Sequence, residues 1–136
     1  MQNINTELSE IINPATQRHI LVIDDEISVA LFITELLTNK GYKVSTIHKS
    51  NEALSFFMQH HNEIDLVITD QTMPEISGSE LAQIMLIQKP DLPIFLITGY
   101  SEEIDSEKAK QMGITEFINK PFKLSEFSLL LQMHLP

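Results

Sequence analysis

From residue 19 onward the chain alternates between short runs of consecutive apolar residues and longer stretches in which apolar positions recur every three or four residues. The first rhythm predicts strands and the second amphipathic helices. The runs place strands at Ile20 to Asp24, Lys43 to Ile47, Leu66 to Thr69, Ile94 to Thr98 and Glu116 to Asn119. Two of them, "ILVI" and "IFLI", have no polar alternation at all. Strands covered on both faces read this way, which points to a parallel sheet between helical layers.

The helices between the strands carry their own punctuation. Ala30, Ile33 and Leu37 form an inner stripe that closes at Gly41; Leu54, Phe57 and Met58 form a second. Ser77 with Glu80 has the spacing of a capping box for a third helix, whose Leu81, Ile84 and Met85 face inward before Pro90 and Pro93 end it. A fourth, roughly 102 to 112, offers only the thin stripe Ile104, Ala109 and Met112 and is expected to be the least firmly held. The last helix carries Leu124, Phe127, Leu130 and Leu131. Residues 1 to 18 are polar and end in Asn13-Pro14, as a tail or linker would. Alternatively Ile4, Leu8, Ile11 and Ile12 give them the spacing of a short amphipathic helix. The domain proper is placed at 19 to 136.

Five strand-helix units in so short a stretch predict a doubly wound α/β sheet, because each crossover is right-handed and helices must cover both faces. In such folds the ligand site lies at the carboxyl ends of the strands. Asp24 and Asp25 follow the first strand, Asp70 the third, Thr98 the fourth, and Lys120 with Pro121 the fifth. Topology would thus gather at one rim residues that lie far apart in the chain.

Composition narrows the choices. At 136 residues the chain has the size of one domain. A net charge of -10, with no lysine or arginine between Lys49 and Lys89, argues against direct contact with nucleic acid. Zero cysteines removes disulfides and thiolate chemistry. No apolar run approaches the roughly 18 residues of a membrane helix, and the expected compartment is the cytoplasm.

Three carboxylates at one mouth raise one another's pKa unless a counter-charge is present. A lysine and a divalent cation would supply it. Mg²⁺ suits such a site because it takes one or two carboxylates, keeps several waters and leaves room for phosphate oxygens; Mn²⁺ could substitute. A carboxylate beside it can act as a nucleophile toward a phosphoryl group, with Asp70 the best placed. Thr98 could then hydrogen-bond a phosphoryl oxygen and Lys120 neutralise another. The Lys120-Pro121 bond, able to be cis, could aim that lysine across the rim.

Together "ILVIDDE", "DLVITDQTMPEISG", "LITGY" and "FINKPF" resemble the receiver domain of two-component response regulators over most of residues 19 to 135. The wording "TDQTMP" with "TGYSE" looks most like receivers attached to hybrid sensor histidine kinases. The resemblance implies a flavodoxin-like fold with five helices and strand order 2-1-3-4-5. It implies Asp70 as acceptor of a phosphoryl group from a histidine kinase or histidine phosphotransfer protein. Mg²⁺ would be held by Asp25, Asp70 and the backbone carbonyl of Thr72, with Asp24 acting through water. Thr98 and Phe117 match the family's switch residues, and Lys120 its lysine. Thr72 and Tyr100 border the site where such domains tune hydrolysis, and the bulk of Tyr100 is expected to slow it. The downstream partner would read the face of helix four, strand five and helix five, and a homodimer on phosphorylation stays open. Such a domain catalyses its own modification and is not a multiple-turnover enzyme. Both a stand-alone regulator and a phosphorelay module of a hybrid kinase fit.

Rival chemistries lack residues they would need. A phosphohydrolase of the haloacid dehalogenase type uses a similar set of side chains. It needs a second aspartate two positions after the nucleophile, where this chain has Thr72. A dinucleotide site would need a glycine-rich turn where "DDEISVA" stands. Glu26 reads as an acid at a helix start. His60 and His61 read as helix-end residues, and His48 as a weak alternative for chemistry.

Overall fold

The computed structural model describes residues 17 to 99 and 105 to 136. Residues 1 to 16, with the N-terminal stripe, and 100 to 104, with Tyr100, lie outside the described residues. In chain order the elements are β1 (His19–Ile23), α1 (Ile27–Asn39), β2 (Lys43–Ile47), α2 (Ser50–His60), a 3₁₀ turn (His61–Glu63), β3 (Leu66–Asp70), α3 (Gly78–Gln88), β4 (Ile94–Thr98), α4 (Ser106–Gln111), β5 (Glu116–Asn119) and α5 (Leu124–His134). All strand pairs are parallel and the sheet order is β2-β1-β3-β4-β5. The reversal of direction falls between β1 and β3, so the crevice of a doubly wound sheet opens at their carboxyl ends.

Consecutive apolar residues in β1, β3 and β4 serve two cores at once, because neighbouring side chains on a strand point to opposite faces. Ile20, Val22, Ile68, Phe95 and Ile97 pack beneath α1 and α5 against Ile33, Leu37, Phe127 and Leu131. Leu21, Ile23, Val67, Ile94 and Leu96 face the other layer, with Phe57, Leu81, Met85 and Ala109 from α2, α3 and α4. β1, β3 and β4 are buried along their whole length. β2, at an edge, is exposed at Lys43 and only half-buried beyond it.

The helix seams are narrower than their apolar stripes. Met58, Ile84 and Leu124, expected to face inward, are 45%, 38% and 47% exposed. In α2 the seam is Ala53 and Phe57, and in α3 it is Leu81, Ala82 and Met85. Met58 and Ile84 each stand one residue, about 100°, from a buried neighbour, which carries them to the helix flank. The capping box is present, with Glu80 N–H donating to Ser77 Oγ at 3.2 Å and Ser77 N–H to Glu80 Oε1 at 3.0 Å. Of the thin stripe expected for the fourth helix, α4 buries Ala109, Met112 is half-buried just beyond it, and Ile104 lies outside the described residues. No helix among the described residues is long and apolar enough to cross a membrane.

Gly41 ends the first helical unit with a φ of +95°, in the left-handed region that glycine enters without strain. Gly78, at the start of α3, is required for a different reason. A Cβ there would overlap the backbone carbonyl of Asp70 and stand 2.8 Å from Leu96 Cδ1. Gly78→Ala is therefore expected to destabilise the domain by about 2–3 kcal/mol, within the range for overpacking a close contact. Urea unfolding of both proteins checks this, and equal midpoints would contradict the close approach.

Candidate functional site

Asp24 stands one residue beyond β1, and Asp70 is the last residue of β3. Asp24 is 1% exposed and Asp70 4%, whereas Asp25 is open to solvent. One carboxylate oxygen from each of the three lies within 4.8 Å of the others. The backbone fixes this crowding. Asp24 N–H donates to Ile47 O at 3.2 Å, Asp24 Oδ1 accepts from Glu26 N–H at 2.9 Å, and His48 Nδ1 donates to Asp24 O at 3.1 Å. His48 thus braces the rim through a backbone carbonyl.

Asp24 Oδ2 is buried and has no hydrogen-bond partner. Burial pushes the Asp24 carboxyl up to about 6, with the Asp70 charge adding to the rise against the Glu26 N–H that opposes it. Lys120 answers from the far side, its Nζ 3.1 Å from Asp70 Oδ1 and 3.7 Å from Glu26 Oε1. Burial alone would lower the ammonium's pKa, but the hydrogen bond and charge of Asp70, with Asp24 and Glu26 beyond, outweigh it and hold it above the usual lysine range. The Lys120-Pro121 peptide is cis.

Thr98 ends β4 fully buried, its Oγ1 donating to Asn119 Oδ1 at 3.2 Å. Phe117 lies half-buried on β5, beside a cavity of about 360 Å³ between β5 and α4. Thr72 follows β3 at an exposed position. Its loop is fastened by two residues that the sequence did not single out. Gln71 exchanges hydrogen bonds with Ser79 (2.8 and 3.0 Å), and Ser50 Oγ donates to Pro74 O at 2.8 Å. His60 and His61 remain apart from the rim, His60 stacked on Phe56 with centroids 4.3 Å apart. Glu26, read from sequence only as a helix-start acid, is a second anionic neighbour of the lysine. Its adjacency to Asp25 was the available signal.

A doubly wound parallel sheet whose strand ends gather three carboxylates against one lysine defines the class: an α/β domain with an acidic, cation-ready rim at its switch point. A family model described as the response regulator receiver domain matches residues 20–132. The chain belongs to that family. It is 32% identical over 111 residues to the response regulator SaeR of Staphylococcus aureus, covering 82% of this chain and 47% of SaeR. It is 33% identical over 116 residues to the probable transcriptional regulator ycf27 of Cyanidium caldarium, covering 85% of this chain and 45% of that protein. The chain thus spans about half the length of these curated relatives. Among solved structures, a receiver domain protein of Clostridium thermocellum superposes with a TM-score of 0.82 at 31% identity, covering 87% of this chain and 94% of that one. The chemotaxis protein CheY4 of Vibrio cholerae gives 0.78 at 27% identity, covering 88% and 99%. The chain is a phosphoacceptor switch domain, and such domains interact with histidine kinases or phosphotransfer proteins. The phosphohydrolase alternative finds no support among these relatives.

The Asp24 carboxyl gives a test that needs no ligand. Its folded-state pKa is raised, so the folded protein binds the proton more tightly than the unfolded chain does. The ionised side chain therefore costs stability, fully above about pH 6 and less as pH falls toward the ordinary carboxylate range. Asp24→Asn is expected to stabilise the metal-free protein by about 1–2 kcal/mol at pH 7.5, a size common when a functional site is relieved. The gain should shrink toward pH 4, and thermal melts across that interval in chelator measure it. A gain that grew on acidification would contradict the assignment.

Proposed function

We propose that Asp70 is the phosphoacceptor and that the rim holds Mg²⁺ through Asp25, Asp70 and the backbone carbonyl of Thr72, with Asp24 acting through water. The observation that carries this reading is the cluster of three carboxylates whose most buried member keeps an unpartnered oxygen, with one open carboxylate beside it. Such a donor set fits a hard divalent cation, with Mn²⁺ as a substitute. When bound, the ion would supply positive charge to the phosphoryl oxygens and relieve the repulsion among the acids.

The chain's own residues divide the remaining work. Asp70 attacks phosphorus, a new oxygen–phosphorus bond forms, and the donor histidine's nitrogen–phosphorus bond breaks with its electron pair returning to the imidazole. Lys120, already 3.1 Å from Asp70 Oδ1, stays as a point charge for the phosphoryl oxygens. Thr98 turns its hydroxyl to another of those oxygens, and Phe117 moves inward. With no hydroxyl, Phe117 works by packing alone. The cavity beside it and the single buried residue of α4 support a switch in which the α4, β5 and α5 face changes affinity for a downstream protein or a second copy. Tyr100 and Thr72 would border the path of hydrolytic water.

A donor protein has a surface to approach. Ile27, Leu31 and Phe32 are 59%, 51% and 49% exposed on α1. Phe32 lines an apolar cleft of about 590 Å³ that Lys120 also borders. The lack of cysteine suits a reducing compartment, and the proposed setting is cytoplasmic. The similarity to SaeR and ycf27 favours a response regulator, while the sequence of the Asp70 loop keeps the hybrid-kinase phosphorelay module as a second setting.

Incubation with a small phosphodonor and Mg²⁺, followed by intact-mass spectrometry, tests the reading. Wild type should gain one base-labile phosphoryl group, whereas Asp70→Asn and chelator-treated wild type should gain none. Full labelling of Asp70→Asn, or labelling in chelator, would move the acceptor elsewhere.

A further inference from the structure

The proposed switch needs the Thr98 hydroxyl at the phosphoryl group, yet in this structure that hydroxyl is committed elsewhere. β4 and β5 pair in register with Thr98 opposite Asn119 and Leu96 opposite Phe117. Directly opposed residues share a sheet face, and so do residues two apart on one strand. Thr98 and Asn119 therefore lie on the same face as Phe117, which packs with the core that contains Leu96. Thr98 Oγ1 donates to Asn119 Oδ1 at 3.2 Å, and Thr98 is 0% exposed, so the hydroxyl has no bulk water to turn to. Lys120 N–H donates to Thr98 O at 2.7 Å, which fixes Asn119 beside the same strand end.

We propose that Asn119 is a latch, a positioning residue whose side-chain carbonyl holds the Thr98 hydroxyl toward β5 in the unphosphorylated state and must release it when Asp70 is phosphorylated. The inference rests on the reading of Asp70 and Thr98 above and adds what opposes the switch at rest. No covalent step is involved. The latch biases the resting equilibrium by one hydrogen bond, and phosphorylation has to overcome that bias through its own bond to Thr98. Asn119 is exposed, so its replacement leaves both cores intact.

The test has a metal-free arm and a ligand arm. In metal-free protein, side-chain couplings of Thr98 measured by NMR report its rotamer. Asn119→Leu and Asn119→Ala should shift that rotamer, and Asn119→Asp, which keeps an acceptor, should not. In Mg²⁺, beryllofluoride serves as the phosphoryl mimic, and Asn119→Leu should bind it about fivefold more tightly. That factor corresponds to about 1 kcal/mol, the net worth of one neutral hydrogen bond. In a Thr98→Val background the same substitution should change nothing, because the coupling runs through the hydroxyl. An unchanged rotamer in both Asn119→Leu and Asn119→Ala would overturn the latch. Equal or weaker beryllofluoride binding by Asn119→Leu, or a gain that survives Thr98→Val, would also overturn it. If wild type bound no beryllofluoride at all, the Asp70 reading would fail, and the metal-free rotamers would still decide the role of Asn119.

Discussion

Mutual repulsion among three carboxylates at one sheet edge is the constraint around which the rim is organised. In bulk water three acids this close would separate or take up protons. Here the termini of two adjacent strands hold two of them, and backbone hydrogen bonds leave Asp24 little freedom to retreat. The fold therefore maintains an electrostatic cost at the place where a cation would relieve it. Natural domains tolerate such local cost when the surrounding structure over-determines it.

What over-determines it is the remainder of the sheet. Gly78 lets α3 approach the Asp70 carbonyl, Gln71 ties the following loop to Ser79, and Ser50 reaches over from α2 to pin Pro74. Lys120 enters from β5, two strands away from β3, and so couples the acid cluster to the edge of the sheet that carries Phe117 and packs with α4. Thr98 and Asn119 lie on that same line. The chemistry at the centre and the surface at the edge are thus joined by the ends of β3, β4 and β5, each held by in-register pairing to its neighbour. In the switch proposed above, this path would carry a change in charge at Asp70 to the α4, β5 and α5 face, where α4 buries only Ala109.

Much of this was legible in the sequence for specific physical reasons. Strands buried on both faces must be apolar at consecutive positions, so "ILVI" and "IFLI" announced a covered parallel sheet, and the topology then delivered Asp24, Asp70, Thr98 and Lys120 to one edge. Helix flanks were less legible. Apolar residues that merely border a seam, such as Met58 and Ile84, have the same spacing as those within it, and only the packing distance to the sheet separates them. Side-chain partners were least legible. Nothing in the local pattern says that Glu26 would lean on Lys120, that Ser50 would hold the Pro74 carbonyl, or that Asn119 would take the Thr98 hydroxyl. Those contacts depend on register between strands and loops distant in the chain. The resemblance to receivers supplied roles for Thr72, Phe117 and Tyr100 that no periodicity contains.

The central claim is that the carbonyl-end rim captures one divalent cation between Asp24, Asp25 and Asp70. Paramagnetic line broadening in amide NMR spectra during a titration with Mn²⁺, competed by Mg²⁺, measures it most directly. The account predicts loss of signal first at residues 23–26 and 69–72, then at the ends of β4 and β5, with recovery on adding Mg²⁺. Broadening centred on another acidic surface, or spread evenly over the protein, would contradict it.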